Sequence, residues 1–427
     1  MVCGQATLSL VNLEREGLET GIIHSDVDKD PRRWTMLAVV SFGMLLSLTS
    51  WMTATAIGPE LQLKWSLSSN QLGWLTTIVQ LGFVIGTALG AILNLADVLP
   101  SRAYFALSAF LAAASNAILL TADGFNEALP ARFLTGFFLA GVYPPGMKMV
   151  STWFQSARGL AIGTVVGALT VGKATPYLLK AVGGTDTISV IAGGSVAGLF
   201  ATLLIATAYR DGPYPFPSRA FEWSRVGKLL RHKETMLATG GYLGHMWELY
   251  AMWTWISAFL FAAAAGAVSD TIIDLVVFGT IAAGALGCVW GGVAADRIGR
   301  HRVVNLAMAI SGGCCLSVGV LFQAPFVFLV GLTWAWGFFV VADSAQFSAL
   351  VTEVAPQDSV GTALMLQTSL GFLVTMVTIQ AVPAIVGALG WQWAFAFLAA
   401  GPVCGICSIL LLERSQRVYC VQEPMGN

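Results

Sequence analysis

The sequence predicts an all-α membrane protein of twelve transmembrane helices arranged as two pseudo-symmetric six-helix bundles. Three observations carry this. The 427 residues are 56% hydrophobic and only 11% charged, far below the roughly 25% charged residues of water-soluble domains. Twelve apolar runs each reach the roughly 20 residues a helix needs to cross a ~30 Å hydrocarbon layer. The basic residues gather in alternate joints between those runs, as a chain threading back and forth across a bilayer requires.

The runs cover about 34–57, 71–95, 103–122, 128–150, 159–182, 188–209, 236–263, 272–294, 303–322, 325–348, 360–384 and 391–412. Lipid offers no partner to a free amide, so each run is expected to be helical. The first, second, third, sixth, ninth, eleventh and twelfth carry no charged residue. The eighth is the least clean, with Asp270 and Asp274 at its start. Residues 1–33 form a polar tail with Glu14, Glu16, Asp26, Asp28 and Asp30. No basic stretch there leads into a short apolar core, so the first long run is expected to act as the insertion signal.

An even number of crossings puts both tails on one side. Of the 22 Lys and Arg, eighteen fall in the tails, the joints of one side or the helix ends beside them, only Lys64 and Lys180 fall near the other face, and Arg132 and Lys173 fall within spans. Both termini are therefore expected in the cytoplasm, with the bacterial inner membrane as the expected location. The expected organisation is a tail (1–33), a first bundle (34–209), a cytoplasmic linker (210–235), a second bundle (236–412) and a tail (413–427). The linker holds Arg210, Arg219, Arg225, Lys228, Arg231 and Lys233 among Pro213, Pro215 and Pro217. An amphipathic helix is expected there from Phe221 to Leu230.

Several functions are set aside at this level. A net charge of −1 gives no electrostatic footprint for nucleic acid. No G-x-x-x-x-G-K-[ST] loop is present, so ATP does not drive the chain from within. The cysteines are Cys3, Cys288, Cys314, Cys315, Cys404, Cys407 and Cys420, mostly in apolar runs where thiols act as small hydrophobes. Cys404 and Cys407 form a CxxC inside an apolar helical stretch, which is not the redox context. His245 and Glu248 form an HxxE, not the HExxH of zinc proteases, and no further metal ligands stand beside them in sequence. No cofactor, no metal and no enzymatic activity are expected.

The two halves read as diverged repeats. The second run ends with Gly86, Gly90, Asn94, Asp97 and Arg102, and the eighth with Gly287, Gly291, Gly292, Asp296, Arg297, Gly299, Arg300 and Arg302. The string Gly292-Val-Ala-Ala-Asp296-Arg-Ile-Gly299-Arg300-His-Arg302 resembles the loop signature of the major facilitator superfamily. Arg132 to Gly136, followed by Gly141-Val-Tyr143-Pro144-Pro145-Gly146, resembles that superfamily's fourth-span pattern. Trp153-Phe154 with Arg158-Gly159-Leu-Ala-Ile-Gly163 resembles its fourth loop and the start of its fifth span. The resemblance covers nearly the whole chain.

It implies a carrier with its solute site between the halves near mid-membrane. It also implies a cytoplasmic latch built from Asp97, Arg102, Asp296 and Arg300. The first copy of the loop motif, Asp97-Val-Leu-Pro-Ser-Arg102, lacks the Gly-Arg step, which shifts the expected latch toward Asp296 and Arg300. The Gly-Pro pair typical of drug and proton antiporters is missing from the fifth span, which favours uptake or exchange. The stretches Gly244–Trp253 and Ala342–Ser348 resemble a bacterial subgroup, and the Tyr-Pro-Pro stretch resembles members that carry small anions.

Charges inside spans are costly and are the default functional candidates. His245 and Glu248 lie roughly 14–18 Å into the seventh span at ~1.5 Å per residue, and their spacing of three puts them on one face. A pair so placed is suited to take and release a proton during the cycle. The bland alternative is a hydrogen-bonded pair joining two helices. Lys173, past the middle of the fifth span, is a candidate for anion contact, or for a salt bridge. Arg132, near the outer end of the fourth, is a candidate for substrate approach, or for snorkelling to the headgroups. Asp343 is a candidate inner gate paired with a basic residue of the other half, with Gln346 one turn further on. Lys148, Lys180 and Asp274 read as interfacial. Tyr143, Trp253 and Gln367 complete the expected solute contacts.

The resulting expectation is a secondary transporter working by alternating access on a small organic or inorganic anion. Its partners are that solute, a coupling ion (a proton) and the lipid bilayer; no nucleic acid is involved, and the chain acts as a monomer. Exchange of solutes is the alternative drive. Rival readings are a proton-coupled exporter of drugs or metabolites with the same fold, which acidic Glu248 and Asp343 would suit, and a transporter-like membrane sensor.

Overall fold

A computed structural model describes residues 30–155, 157–183, 186–214 and 223–422. The described residues are helical almost throughout. The first half holds α1 (Arg32–Leu48), α2 (Thr53–Ala56), α3 (Gly58–Trp65), α4 (Ser69–Ile92), α5 (Leu95–Val98), α6 (Ser101–Ala117), α7 (Phe125–Leu139), α8 (Tyr143–Ser151), α9 (Arg158–Gly183) and α10 (Thr187–Ala208). The second half holds α12 (Lys233–Ala264), α13 (Asp270–Ile298), α14 (Arg300–Val320), α15 (Phe326–Ala342), α16 (Ser344–Val354), α17 (Val360–Leu389) and α18 (Ala400–Gln422). Between them lies α11 (Trp223–Leu229), inside the amphipathic stretch expected of the linker. Phe221 and Glu222 lie outside the described residues, as do most of the first tail, Cys3 included, and the last five residues.

Nine helical segments among the described residues are long and apolar enough to cross a membrane. The remaining three of the twelve expected runs are the first, fourth and seventh. The first is interrupted at Thr49–Met52 and continues as α2 and α3. The fourth is interrupted at Ala140–Val142, just before Pro144 and Pro145, which supply no N–H to continue the ladder. The seventh, α12, is a single helix of 32 residues carrying His245, Glu248 and several aromatics. The twelfth run also differs from expectation. Its first part forms short 3₁₀ turns at Trp391–Trp393 and Ala396–Ala399, and the long helix begins only at Ala400.

Large apolar side chains face outward on the transmembrane helices, including Phe200 and Leu203 of α10 and Val327 and Phe328 of α15. A continuous apolar exterior is what lipid demands, and it would aggregate in water. Helix starts follow local chemistry. Ser68 and Gln71 form a reciprocal capping box on α4, and Asp186 accepts from the Ile188 and Ser189 amides at α10.

Both halves use the same close packing. In the first, α4 lies against α7, and a Cβ added to Gly136 would fall 1.8 Å from the Val79 carbonyl oxygen. In the second, α13 lies against α15, and a Cβ on Gly337 would fall 1.7 Å from the Thr280 oxygen. Without side chains at these points the backbones meet directly. The halves touch each other chiefly along two seams, α9 on α13 and α4 on α17.

Candidate functional site

A cavity lies between the halves at mid-height, about 720 Å³ with its open mouth included. Its wall comes from both halves: Trp51, Phe83, Tyr143 and Lys173 from one, Tyr250, Trp253 and Phe372 from the other. It reaches the exposed Ser348 toward the end of the molecule that carries the Gly292–Arg302 motif.

Lys173 projects from α9 into this wall and is only 3% exposed. Its Nζ donates to the Tyr250 hydroxyl. It also sits 4.2 Å from the Trp51 ring centroid, 4.7 Å from Tyr250 and 5.4 Å from Trp253. Three electron-rich faces partly offset the loss of water around an ammonium. No carboxylate pairs with Lys173 among the described residues. The indole N–H groups of Trp51 and Trp253 are buried and have no acceptor there either. Lys173 and both indoles line the cavity, so its wall carries donors and a basic group, with no protein anion among the described residues to answer them.

Trp51 owes its position to Arg132. The break after α1 frees backbone carbonyls that lipid cannot satisfy. Arg132 of α7 is wholly buried and supplies the donors. Its guanidinium donates to the Ser50 oxygen at 2.9 Å, to the Trp51 oxygen, and to Asn116 Oδ1 at 3.1 Å. Asn116 in turn donates to Ile191 O and Ser195 Oγ. Arg132 is neither a snorkelling residue nor part of the cavity wall. Tyr143 gains its place from the second break, where the Pro144–Pro145 pair restarts the helix and leaves the tyrosine facing the cavity.

In the second half His245 and Glu248 do not act as a pair. Glu248 accepts from Ser311 Oγ at 3.0 Å, from Cys315 at 3.2 Å and from Trp336 Nε1, all on α14 and α15. His245 instead faces the junction of α15 and α16. Its Nδ1 lies 2.9 Å from Asp343 Oδ1, and Nε2 lies 3.4 Å from Ser344 Oγ. Ser344 lines the cavity, so the His245–Asp343 pair stands one layer behind its wall. Asp343 is thus paired within its own half and not across the halves. Gln367 is also behind the wall, donating to the Phe347 oxygen at 3.3 Å.

Among the described side chains, no bond joins the expected latch residues across the halves. Asp296 and Arg102 are exposed, and the Asp97 side chain lies outside the described part. Arg300 bonds Glu353 at 2.7 Å and Gln346 at 3.0 Å, both in its own half. Side chains also join the halves from mid-height toward the opposite end. Gln80 of α4 accepts from Thr375 of α17, and Gln380 of α17 donates to Thr77 at 3.0 Å. Within the second half, Trp255 of α12 donates to the Ile379 oxygen of α17 at 2.9 Å. Lys180 and Asp274, expected at the membrane interface, are buried there and form an ion pair across the α9–α13 seam at 3.8 Å. Lys148 bonds the Ala96 oxygen at 2.7 Å.

Residues 39–273, over half of the chain, match the Major Facilitator Superfamily profile. The chain belongs to the Major Facilitator Superfamily. It is similar to the hexuronate transporter of Escherichia coli, with 24% identity over 425 residues covering 92% of this chain and 96% of that one. It is also similar to a probable nitrate/nitrite antiporter, NarK1, of Thermus thermophilus, with 29% identity over 170 residues, 40% of this chain and 37% of that one. Among solved structures, a bacterial homologue of the human lysosomal transporter Spinster, inward-facing and occupied, matches with a TM-score of 0.66 at 15% identity. That match covers 91% of this chain and 98% of the other. The nucleoside transporter NupG matches with 0.68 at 14% identity, covering 88% and 99%. At such identities these structures speak for the fold alone.

As a superfamily member the protein is an integral membrane protein and a secondary transporter of small solutes, not an enzyme. Of the expected contact residues, Lys173, Tyr143 and Trp253 line the cavity, and Arg132, His245 and Gln367 stand behind its wall. Sequence reasoning missed Trp51 and Phe83. Both lie in uncharged runs, where an aromatic facing a cavity and one packed in a bundle look alike.

Proposed function

We propose that the protein moves a small organic anion by alternating access, with Lys173 as the anion contact. The observation that carries this is the set of unanswered donors at mid-membrane: a caged ammonium and two indole N–H groups. An anion with acceptor oxygens and an apolar edge satisfies all three and stacks on the aromatic wall. A cationic solute would meet Lys173 at close range with no facing carboxylate, which disfavours the exporter reading. The names of two relatives, hexuronate and nitrate/nitrite transporters, support an anionic solute.

The distribution of Lys and Arg supports placing both termini in the cytoplasm. The cavity then opens inward and the seam at Gln80, Thr375, Lys180 and Asp274 closes the outside. One chain supplies the whole cavity, which supports function as a monomer. The His245–Asp343 pair behind Ser344 is suited to carry a proton in step with the solute. The test is uptake of labelled hexuronate and other small carboxylates into proteoliposomes, with and without an imposed proton gradient. Selective uptake that rises with the gradient is expected. Uptake of cationic dyes in preference to carboxylates would overturn the reading.

A further inference from the structure

The sealed end holds a second charged cluster that the solute cavity does not use. Lys180 of α9 is flanked by two carboxylates, Glu60 of α3 at 2.9 Å and Asp274 of α13 at 3.8 Å. The cluster joins the halves, because Glu60 and Lys180 belong to the first and Asp274 to the second. The Lys180 ammonium also lies 5.4 Å from the Phe261 ring of α12. Two carboxylates share one ammonium, so the group carries one surplus negative charge. Asp274 is 2% exposed and Tyr177 of α9 is wholly buried. Asp274 Oδ1, Glu60 Oε2 and the Tyr177 hydroxyl all lack a hydrogen-bond partner among the described residues. The ionisable groups around Asp274 are Lys180 and Tyr177 of α9, Glu60 of α3 and Asp270 of its own helix.

We propose that this cluster is a proton-binding site, centred on Asp274, whose occupancy closes the outer face of the transporter. A proton on Asp274 cancels the surplus charge and leaves Glu60 as the one carboxylate paired with the Lys180 ammonium. A metal cation is a poor substitute, because the ammonium already stands between the carboxylates and repels it. Separating α9 from α13 would admit water to Asp274, and the surplus charge would then be solvated instead of buried. Closure therefore favours the protonated cluster, and opening the deprotonated one. The proton site lies away from the cavity, on the seam that must part for the solute to leave or enter from outside.

The inference uses the proposed transport reading for its assay, and two readouts keep them separate. Solute binding is followed by quenching of tryptophan fluorescence, since Trp51 and Trp253 flank Lys173. Counterflow in proteoliposomes is followed as the external pH is varied, for the wild type, Asp274→Asn and Glu60→Gln. Either carboxamide leaves one carboxylate to one ammonium, with no surplus charge to neutralise. Wild-type counterflow should follow external pH with a one-proton slope, at most about tenfold per pH unit, and either variant that folds should lose that slope while still binding solute. Glu60→Gln carries the test if Asp274→Asn does not fold. An unchanged pH profile in both variants, or a sodium dependence at fixed pH in place of the pH dependence, would overturn the proton site. A wild type whose fluorescence no anion quenches would instead overturn the anion reading.

Discussion

Replacing Lys173 by Met tests the anion site most directly. The side chain keeps its length and apolar stem and loses only the charged donor. A hydrogen bond to a charged group contributes about 1.5–3 kcal/mol. At 1.4 kcal/mol per tenfold change in affinity, the dissociation constant for the transported anion should rise by about 10- to 150-fold. The effect on folding should be opposite to that of breaking an ion pair. Removing one partner of a buried salt bridge costs about 3–5 kcal/mol, because an uncompensated charge is left behind. Lys173 has no carboxylate partner among the described residues, and its contacts are Tyr250 and three rings. Lys173→Met therefore leaves no stranded charge, and the melting temperature in detergent should hold or rise. Tryptophan quenching titrations and a thermal melt on the same preparation read both quantities. Unchanged affinity, or a steep fall in melting temperature with affinity intact, would refute the argument and make Lys173 a packing residue.

Other perturbations separate structural from transport roles. Arg132→Met strands the carbonyls of Ser50 and Trp51 and the Asn116 amide; at about 1–3 kcal/mol for each unmet group, thermal melting should show a loss of at least ~3 kcal/mol. Gly337→Ala pushes a methyl against the Thr280 carbonyl and should destabilise by about 1–3 kcal/mol or more, with purification yield and melting temperature falling together. Arg300→Ala breaks a partly exposed pair with Glu353 and removes the donor to the buried Gln346 oxygen, and should lower stability by about 1–3 kcal/mol, nearly all of it from the unmet amide. His245→Gln removes the imidazole beside Asp343; the solute accumulation driven by an imposed proton gradient should be lost while solute counterflow continues, and accumulation that survives would exclude His245 from coupling.

Much of the architecture was legible because the bilayer filters sequence severely. Length and apolarity alone place most helices, and Lys173 stands out because a charge in such a run needs a reason. The failures have local causes. The break at Thr49–Met52 has no proline or glycine to announce it, and what stabilises it is a guanidinium some eighty positions away in sequence. The spacing of three predicts that His245 and Glu248 share one face of the helix. Yet α12 is surrounded by helices, and a difference of about 60° around its axis is enough to send one side chain to α14 and α15 and the other to the α15–α16 junction. Lys180 and Asp274 sit near helix ends, where charge normally meets headgroups; only the approach of α9 to α13 makes those ends an interior.

The guanidinium beneath Trp51 has a mechanical consequence. It clasps the kinked first helix to α7 and, through Asn116, to α6 and α10. The indole that lines the cavity is thus anchored to four rods at once, with little compliance of its own. Force applied at that ring is handed to the entire amino-terminal body, so cargo arriving at one spot is felt as a tilt of the whole half rather than as the give of one side chain.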